Sequence, residues 1–435
     1  MASKQELFRK FYKAHVYAGL FVLLHLIVFS VSGLLLLFKD EIQGGASTSA
    51  VVVEHGDLPR GYAAVLSEAL RLYPGDRPLA FYPDDQDASV LNVRLGRDGA
   101  TKLRGARKAI FGLESGRELA APPAPASGFF DWTLRLHREL LMGSNGKLYV
   151  GLVGLVYAFM LFSGFLIYGN FMKGRSWREI RAARVPRLVD WHKFIGMVTF
   201  GWALVVALSG VFLAFNGVLI KLFQARSLAE LSRQYEGSAP AAIDPASLAQ
   251  VVGTALAAKP GWAPTYLSFP DTEYGIPGHY LFLVNGSDPF TERLSELVVV
   301  NAQNGVLART MELPLYLKLV LLSEPLHFGD YGGWPLKVLW ALFTLASLAV
   351  ALLGAAAWWV RRRKRVEVSV TKPRGPRESP RARGASPYPV PILLALLTGL
   401  GLVAALFATG PFAAIAVALV ALPLFAFLRV RRRHA

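Results

Sequence analysis

The 435-residue chain contains no cysteine. That single absence removes disulfides, iron–sulfur clusters, thiolate zinc sites, cysteine nucleophiles and covalent c-type haem attachment together. Metal chemistry is left to histidine, carboxylate or methionine, and there are only 8 histidines and 6 methionines. Charge is sparse as well: Asp, Glu, Lys and Arg make up 18% of the chain against 53% hydrophobic residues, with a mean hydropathy of +0.38. This composition excludes intrinsic disorder, which requires low hydrophobicity, and points to an integral membrane protein. Acidic residues are the scarcer sign, 30 against 47 basic ones, giving a formal charge of +17. Such an excess suits either nucleic acid or a membrane surface. There is no P-loop and no His-Glu-x-x-His, and the spacing Gly399-Leu400-Gly401 lies inside an apolar run rather than between a strand and a helix.

Six apolar runs approach the ~20 residues that cross a bilayer as a helix. Four are strong, and the last two form a shorter pair split by the turn signal Gly410-Pro411. The first, residues 16–38, exceeds an ordinary signal-peptide core and is read as a retained span. With the N-terminus placed inside, segments 1–15, 170–193, 361–389 and 429–435 hold 25 basic and 5 acidic residues, while the rest hold 22 and 25. The surplus therefore sits on short loops of one face, which is the positive-inside pattern. It anchors topology beside anionic lipid, so no nucleic-acid partner is expected and both termini are expected in the cytoplasm.

The expected organisation runs as follows: cytoplasmic N-terminus and first span at 1–38, an external module at 39–146, a second span at 147–169, a basic loop at 170–193, and a third span at 194–215. A second external module follows at 216–335, then a fourth span at 336–360, a Pro/Arg-rich linker at 361–389, a hairpin of two spans at 390–428 and a cytoplasmic tail at 429–435. Each external module reads as α+β. In the first, 61–73 has helical spacing, 79–82 and 90–95 alternate like strands, and 109–119 reads as a strand, a Ser115-Gly116 turn and a strand. In the second, 245–258 is helix-like, 265–269 and 280–284 are strand-like, and 296–307 is a hairpin turning at Asn304-Gly305.

Superposing the first span on the third reveals an internal duplication. His15 is followed by Gly19 at +4 and Ser32-Gly33 at +17 and +18; His192 is followed by Gly196 and Ser209-Gly210 at the same distances. Likewise His137 precedes Gly143 by 6 and Gly164 by 27, and His327 precedes Gly333 and Gly354 by the same numbers. Two copies with the same starting side are related by an axis along the membrane normal. If they face each other, His15 meets His192 near one membrane surface and His137 meets His327 near the other. Two imidazoles on opposite sides of a porphyrin hold a b-type haem without cysteine, as a six-coordinate iron suited to electron transfer. The glycines let helices or a flat macrocycle approach closely.

The metal-ligand candidates are therefore His15, His137, His192 and His327. His25, mid-span and unduplicated because Trp202 stands at its equivalent, joins them as a cofactor-binding candidate. An ionisable group at that depth is costly to leave unused; it fits a ligand replacing His15, a hydrogen-bond partner or a proton site. His55 and His279 fall in the external modules and are expected to be solvated, and His434 is in the tail. The two pairs stand nearly a hydrocarbon thickness of ~30 Å apart, a long single step for an electron.

At this point the residues resemble a known family. Phe11-Tyr12-Lys13-Ala14-His15-Val16-Tyr17-Ala18-Gly19, Leu136-His137-Arg138-Glu139-Leu140-Leu141-Met142-Gly143, Asp190-Trp191-His192-Lys193-Phe194-Ile195-Gly196 and Glu324-Pro325-Leu326-His327 are similar to the PepSY-associated transmembrane helix family, over about residues 8–365. The turns around Ser115-Gly116 and Asn304-Gly305 resemble the closing hairpins of PepSY modules. The residues themselves read as an α-helical integral membrane protein of about six transmembrane helices, internally duplicated, with two haem-holding imidazole pairs and two small α+β modules. The resemblance makes those modules PepSY-like and periplasmic, and implies an inner-membrane b-type haem protein that reduces a periplasmic ferric siderophore and releases Fe(II), since hard oxygen donors hold Fe(III) better than Fe(II). Some relatives carry a fused flavin/nicotinamide portion, which this sequence lacks, so its donor is expected to be a quinol or a separate cytoplasmic reductase. Two other readings remain open on the residues: a siderophore or iron transport protein without redox activity, and a PepSY-type regulator of an external peptidase.

Overall fold

The computed structural model describes residues 4–43, 58–84, 87–120, 128–172, 179–238, 243–368, 386–429 and 431–433. His55, His434 and most of the expected cytoplasmic linker lie outside the described residues. In chain order the principal helices are α1 (Lys4–Leu37), α2 (Leu58–Leu72), α3 (Gly128–Glu139), α4 (Gly143–Phe171), α5 (Arg184–Ala214), α6 (Pro245–Ala258), α7 (Leu315–Phe328), α8 (Gly333–Val368), α9 (Pro389–Phe407) and α10 (Pro411–Ala421). The strands are β1 (Arg77–Pro83), β2 (Val90–Gly96), β3 (Arg107–Gly112), β4 (Trp262–Ser268), β5 (His279–Gly286), β6 (Glu296–Asn301) and β7 (Leu307–Glu312). The chain forms two compact units.

The first unit is helical and, among the described residues, holds five helices long and apolar enough to cross a membrane, namely α1, α4, α5, α8 and α9. The four strong expected spans are all present, each extended beyond its apolar run. Over the sixth expected run, no helix of 18 or more residues occurs among the described residues: α10 has 11 residues and continues as a 3₁₀ stretch, Leu422–Arg429. Eleven residues rise only ~16 Å as an α-helix, and Pro423, which cannot donate a backbone hydrogen bond, ends the α-helical ladder there. Four helices close a ring in which α1 and α5 each pack on both α4 and α8. α9 lies against α5, where Gly201 allows the backbone of Ala395 to approach so closely that a Cβ would meet its carbonyl oxygen at 2.7 Å. Large apolar side chains such as Leu24, Phe162 and Leu400 face outward, as a hydrocarbon solvent permits.

Two shorter helices that local periodicity does not announce, α3 and the part of α7 from Leu322 onward, belong to the same unit. α7 contains Pro325, ordinarily a helix breaker, and stops at Gly329 in the left-handed conformation (φ 72°), with the Trp340 ring filling the space of the missing Cβ. Gly143 and Gly333, at duplicated positions, both adopt φ 62° and open α4 and α8. After α3 the chain turns through Leu140 and Leu141 at φ 47° and 61°, a left-handed pair that β-carbons disfavour.

The second unit carries the sheet. The expected elements form, except that the second strand of the 109–119 hairpin is reduced to a single bridge between Phe111 and Glu118; α6 takes the bounds its pattern predicts and is capped by Asp244, whose carboxylate accepts from the amides of Ala246 and Ser247. The two halves do not remain separate modules. Their strands join in one antiparallel seven-stranded sheet ordered β3-β2-β1-β4-β5-β6-β7, the halves meeting where Ala80 pairs with Ser268 and Phe81 with Leu267. α2 and α6 pack side by side over one face on a shared core that includes Phe81, Phe269 and Phe282. The helices Asn216–Phe223 and Ala229–Gln234 contribute Phe223 and Leu231 to a second apolar cluster with Leu281 and Val299. Replacing the fully buried Phe282 by Ala is expected to cost ~3–5 kcal/mol, read as a lowered Tm of the full chain in detergent, whereas Leu307→Ala on the exposed edge strand leaves Tm within error.

Candidate functional site: two facing imidazole pairs

The duplication brings the four histidines together two by two. The rings of His15 and His192 have centroids 6.2 Å apart, and those of His137 and His327 are 6.1 Å apart. His15 and His192 come from the diagonal helices α1 and α5, while His137 and His327 come from α3 and α7.

All four imidazoles are seated alike. His15 Nδ1 donates to the Met160 carbonyl at 3.0 Å, His192 Nδ1 to that of Val350 at 2.8 Å, and His327 Nδ1 to that of Val206 at 3.0 Å. His137 Nδ1 lies 2.9 Å from Ser32 Oγ and also bonds to the Phe29 carbonyl. In every case the carbonyl belongs to the residue four before a glycine, and the ring rests on that glycine. A Cβ on Gly164 would come within 2.9 Å of His15 Cε1; on Gly354, 3.0 Å of His192; on Gly33, 3.2 Å of His137; on Gly210, 2.9 Å of His327. Ser163, Ser32 and Ser209 add hydroxyls beside three of the rings. Each of these hydroxyls donates to a carbonyl of its own helix and so can only accept from the ring N–H.

A carbonyl cannot donate, so each Nδ1 carries a proton, and in the neutral ring the lone pair is left on Nε2. Burial lowers the pKa of His137 to about 3, with the neighbouring His327 adding to the effect, and burial lowers that of His327 too. Both rings are therefore neutral at neutral pH, the form that binds metal.

The spacing can be tested against a shared metal. A metal–imidazole bond of ~2 Å on each side, plus ~1 Å from each bonded nitrogen to its ring centre, puts two axial imidazoles ~6 Å apart between centroids. Both pairs meet that spacing. Among the described residues no group of three or more His, Asp or Glu side chains could hold a metal by itself, and two imidazoles alone at this spacing are the donor set that a b-type porphyrin takes from a protein. The residues present fit a b-type porphyrin.

His25 joins neither pair. Its Nδ1 donates to Phe21 O at 3.0 Å and its Nε2 accepts from the Tyr149 hydroxyl at 2.9 Å, so of the three roles open to it the hydrogen-bond partner is the one occupied. His279 is buried rather than solvated: it donates to Pro277 O, meets Asn301 Nδ2 at 3.3 Å and lies 4.1 Å from the Tyr235 ring, the planes tilted by 42°. The glycines have a role that spacing alone does not reveal. Gly33, read with His15, seats His137; Gly164, read with His137, seats His15; Gly210 and Gly354 cross over in the same way. The acceptor carbonyls leave no mark in the sequence at all.

A multi-pass membrane protein with two facing pairs of neutral imidazoles is thus the class that fold and site define. The chain belongs to the PepSY-associated TM region family, whose model matches residues 12–361. No curated protein matches it. The tight seats give a direct check. Gly210→Val is expected to destabilise the bundle by ~1–3 kcal/mol through overpacking against His327, whereas Gly399→Ala, with open space around it, leaves thermal stability in detergent unchanged or slightly raised.

Proposed function

We propose that the protein is a bacterial inner-membrane reductase that binds two b-type haems and carries electrons across the membrane to a periplasmic ferric siderophore, releasing Fe(II). The carrying observation is the centroid spacing of 6.2 and 6.1 Å in two separate, identically seated imidazole pairs. His15 and His192 would hold one haem and His137 and His327 the other. Bound there, a haem supplies one-electron redox chemistry at a six-coordinate iron.

The chain's own contribution is to prepare that coordination. The carbonyls of Met160, Val350, Phe29 and Val206 hold the protons on Nδ1 and fix the ring orientation, raising the basicity of Nε2. The glycine seats let the rings lie directly against the neighbouring helices. The apolar bundle excludes water, and burial is one of the levers by which a protein sets the potential of such a site. Outer-sphere transfer to a ferric chelate needs no general acid or nucleophile, and the electron the donor loses is gained by the chelated iron, whose Fe(II) form hard oxygen ligands hold less tightly.

The basic loops support a cytoplasmic side for both termini and for the His15/His192 pair, and hence a periplasmic side for the sheet unit, read as paired PepSY-like modules. The donor is a quinol or a cytoplasmic reductase. Detergent-solubilised protein is expected to carry a Soret band and split α/β bands after dithionite, with about two haems per chain. Either His192→Ala or His137→Ala should remove about half of the haem, and the double variant nearly all. Colourless wild-type protein, or variants with unchanged spectra, contradicts the proposal.

A further inference from the structure

Tryptophan in membrane proteins concentrates at the two interfaces, and Trp132, Trp334 and Trp359 follow that rule with about half their surface exposed. Trp202 and Trp340 do not. They are 5% and 4% exposed in the interior of the helical unit. Trp202 stacks on Phe343 (centroids 5.7 Å, planes 14° apart) and meets Trp340 edge-on at 5.8 Å. The Trp340 indole N–H donates to the backbone carbonyl of His327 at 3.2 Å. The Trp202 indole N–H is buried with no hydrogen-bond partner among the described residues, an expense that a leucine of similar reach would avoid.

The position of this cluster is what gives it meaning. On α5, Trp202 stands ten residues after His192 and eight before Gly210, the seat of His327. Those 18 residues span ~27 Å of helix. On α8, Phe343 lies seven residues, or two turns on the same face, before Val350, whose carbonyl holds His192. Aromatic contact therefore runs from the backbone of one ligand through Trp340 and Trp202 to Phe343, which stands two turns short of the carbonyl that holds a ligand of the other pair. The duplication does not repeat it: the equivalent positions in the first half are His25, Val150 and Val153.

We propose that Trp202, Phe343 and Trp340 form a one-sided bridge that couples the two haem sites electronically across the bilayer. The inference rests on the haem reading above. One electron would pass from the haem that His15 and His192 would hold to the one that His137 and His327 would hold, oxidising the first by one electron and reducing the second by one; no bond or proton changes, and the aromatic rings are not themselves oxidised. Their π orbitals lie closer in energy to a tunnelling electron than the σ bonds of aliphatic side chains, so they strengthen coupling over a span too long for one unassisted step.

Fully reduced holoprotein mixed with ferric EDTA in a stopped-flow spectrometer tests this. Oxidation is expected in two phases, a fast one from the haem nearer the chelate and a slower one limited by transfer between haems. Trp202→Leu and Phe343→Leu should each slow the second phase on the order of tenfold while leaving the first phase, the haem content and both midpoint potentials at wild-type values. Trp202→Phe should restore most of the rate, and Val153→Leu in the other half should change nothing. A second phase at wild-type speed in both leucine variants overturns the bridge, and so does slowing that tracks haem loss or shifted potentials, because the residues are then packing elements. Wild-type protein without haem instead overturns the parent proposal.

Discussion

A ring N–H in hydrocarbon must find an acceptor, and this protein meets that constraint four times with the same device. Each imidazole gives its Nδ1 proton to a carbonyl on another helix. Within a helix every such carbonyl already accepts from the residue four further on, and it has a second lone pair to offer a side chain. In each seat that residue four further on is the glycine, whose lack of a side chain is what lets the ring reach the carbonyl. Hydrogen bond and close approach are thus one requirement, and they tie α1 to α4 and α5 to α8 at one end, α3 to α1 and α7 to α5 at the other.

The same ties orient the chemistry. A proton fixed on Nδ1 leaves Nε2 as the only nitrogen available to a metal, and burial keeps His137 and His327 neutral at neutral pH. Duplication supplies each imidazole with a partner at the spacing one shared ion needs. It also allows divergence where symmetry is not required: Trp202 occupies in one half the place that His25 holds in the other, where His25 is bonded to Tyr149.

Much of this was legible in the residues, because duplicated spacing survives any fold. The intervals from His15 and His192 to their glycines pointed to two facing copies and to which histidines meet. Pairing of the halves into one sheet was not legible, since the register of Ala80 with Ser268 is a long-range fact that no local alternation encodes. The helices α3 and α7 escaped for different reasons, the first being short and interrupted by positive-φ leucines, the second carrying Pro325 where a break is expected. In the sixth expected run the change from α-helix to 3₁₀ was not legible, because apolar composition continues past Pro423 while the α-helical ladder does not. Most instructive are the glycines, each of which sits in the same half as one histidine and serves another.

The central claim is that each imidazole pair clamps one iron between two Nε2 atoms. Electron paramagnetic resonance of the oxidised, purified protein measures that ligation directly. The account predicts low-spin ferric signals of bis-imidazole type integrating to about two spins per chain, and only about one after His15→Ala. High-spin or non-haem ferric signals, or the absence of any iron signal, would contradict it.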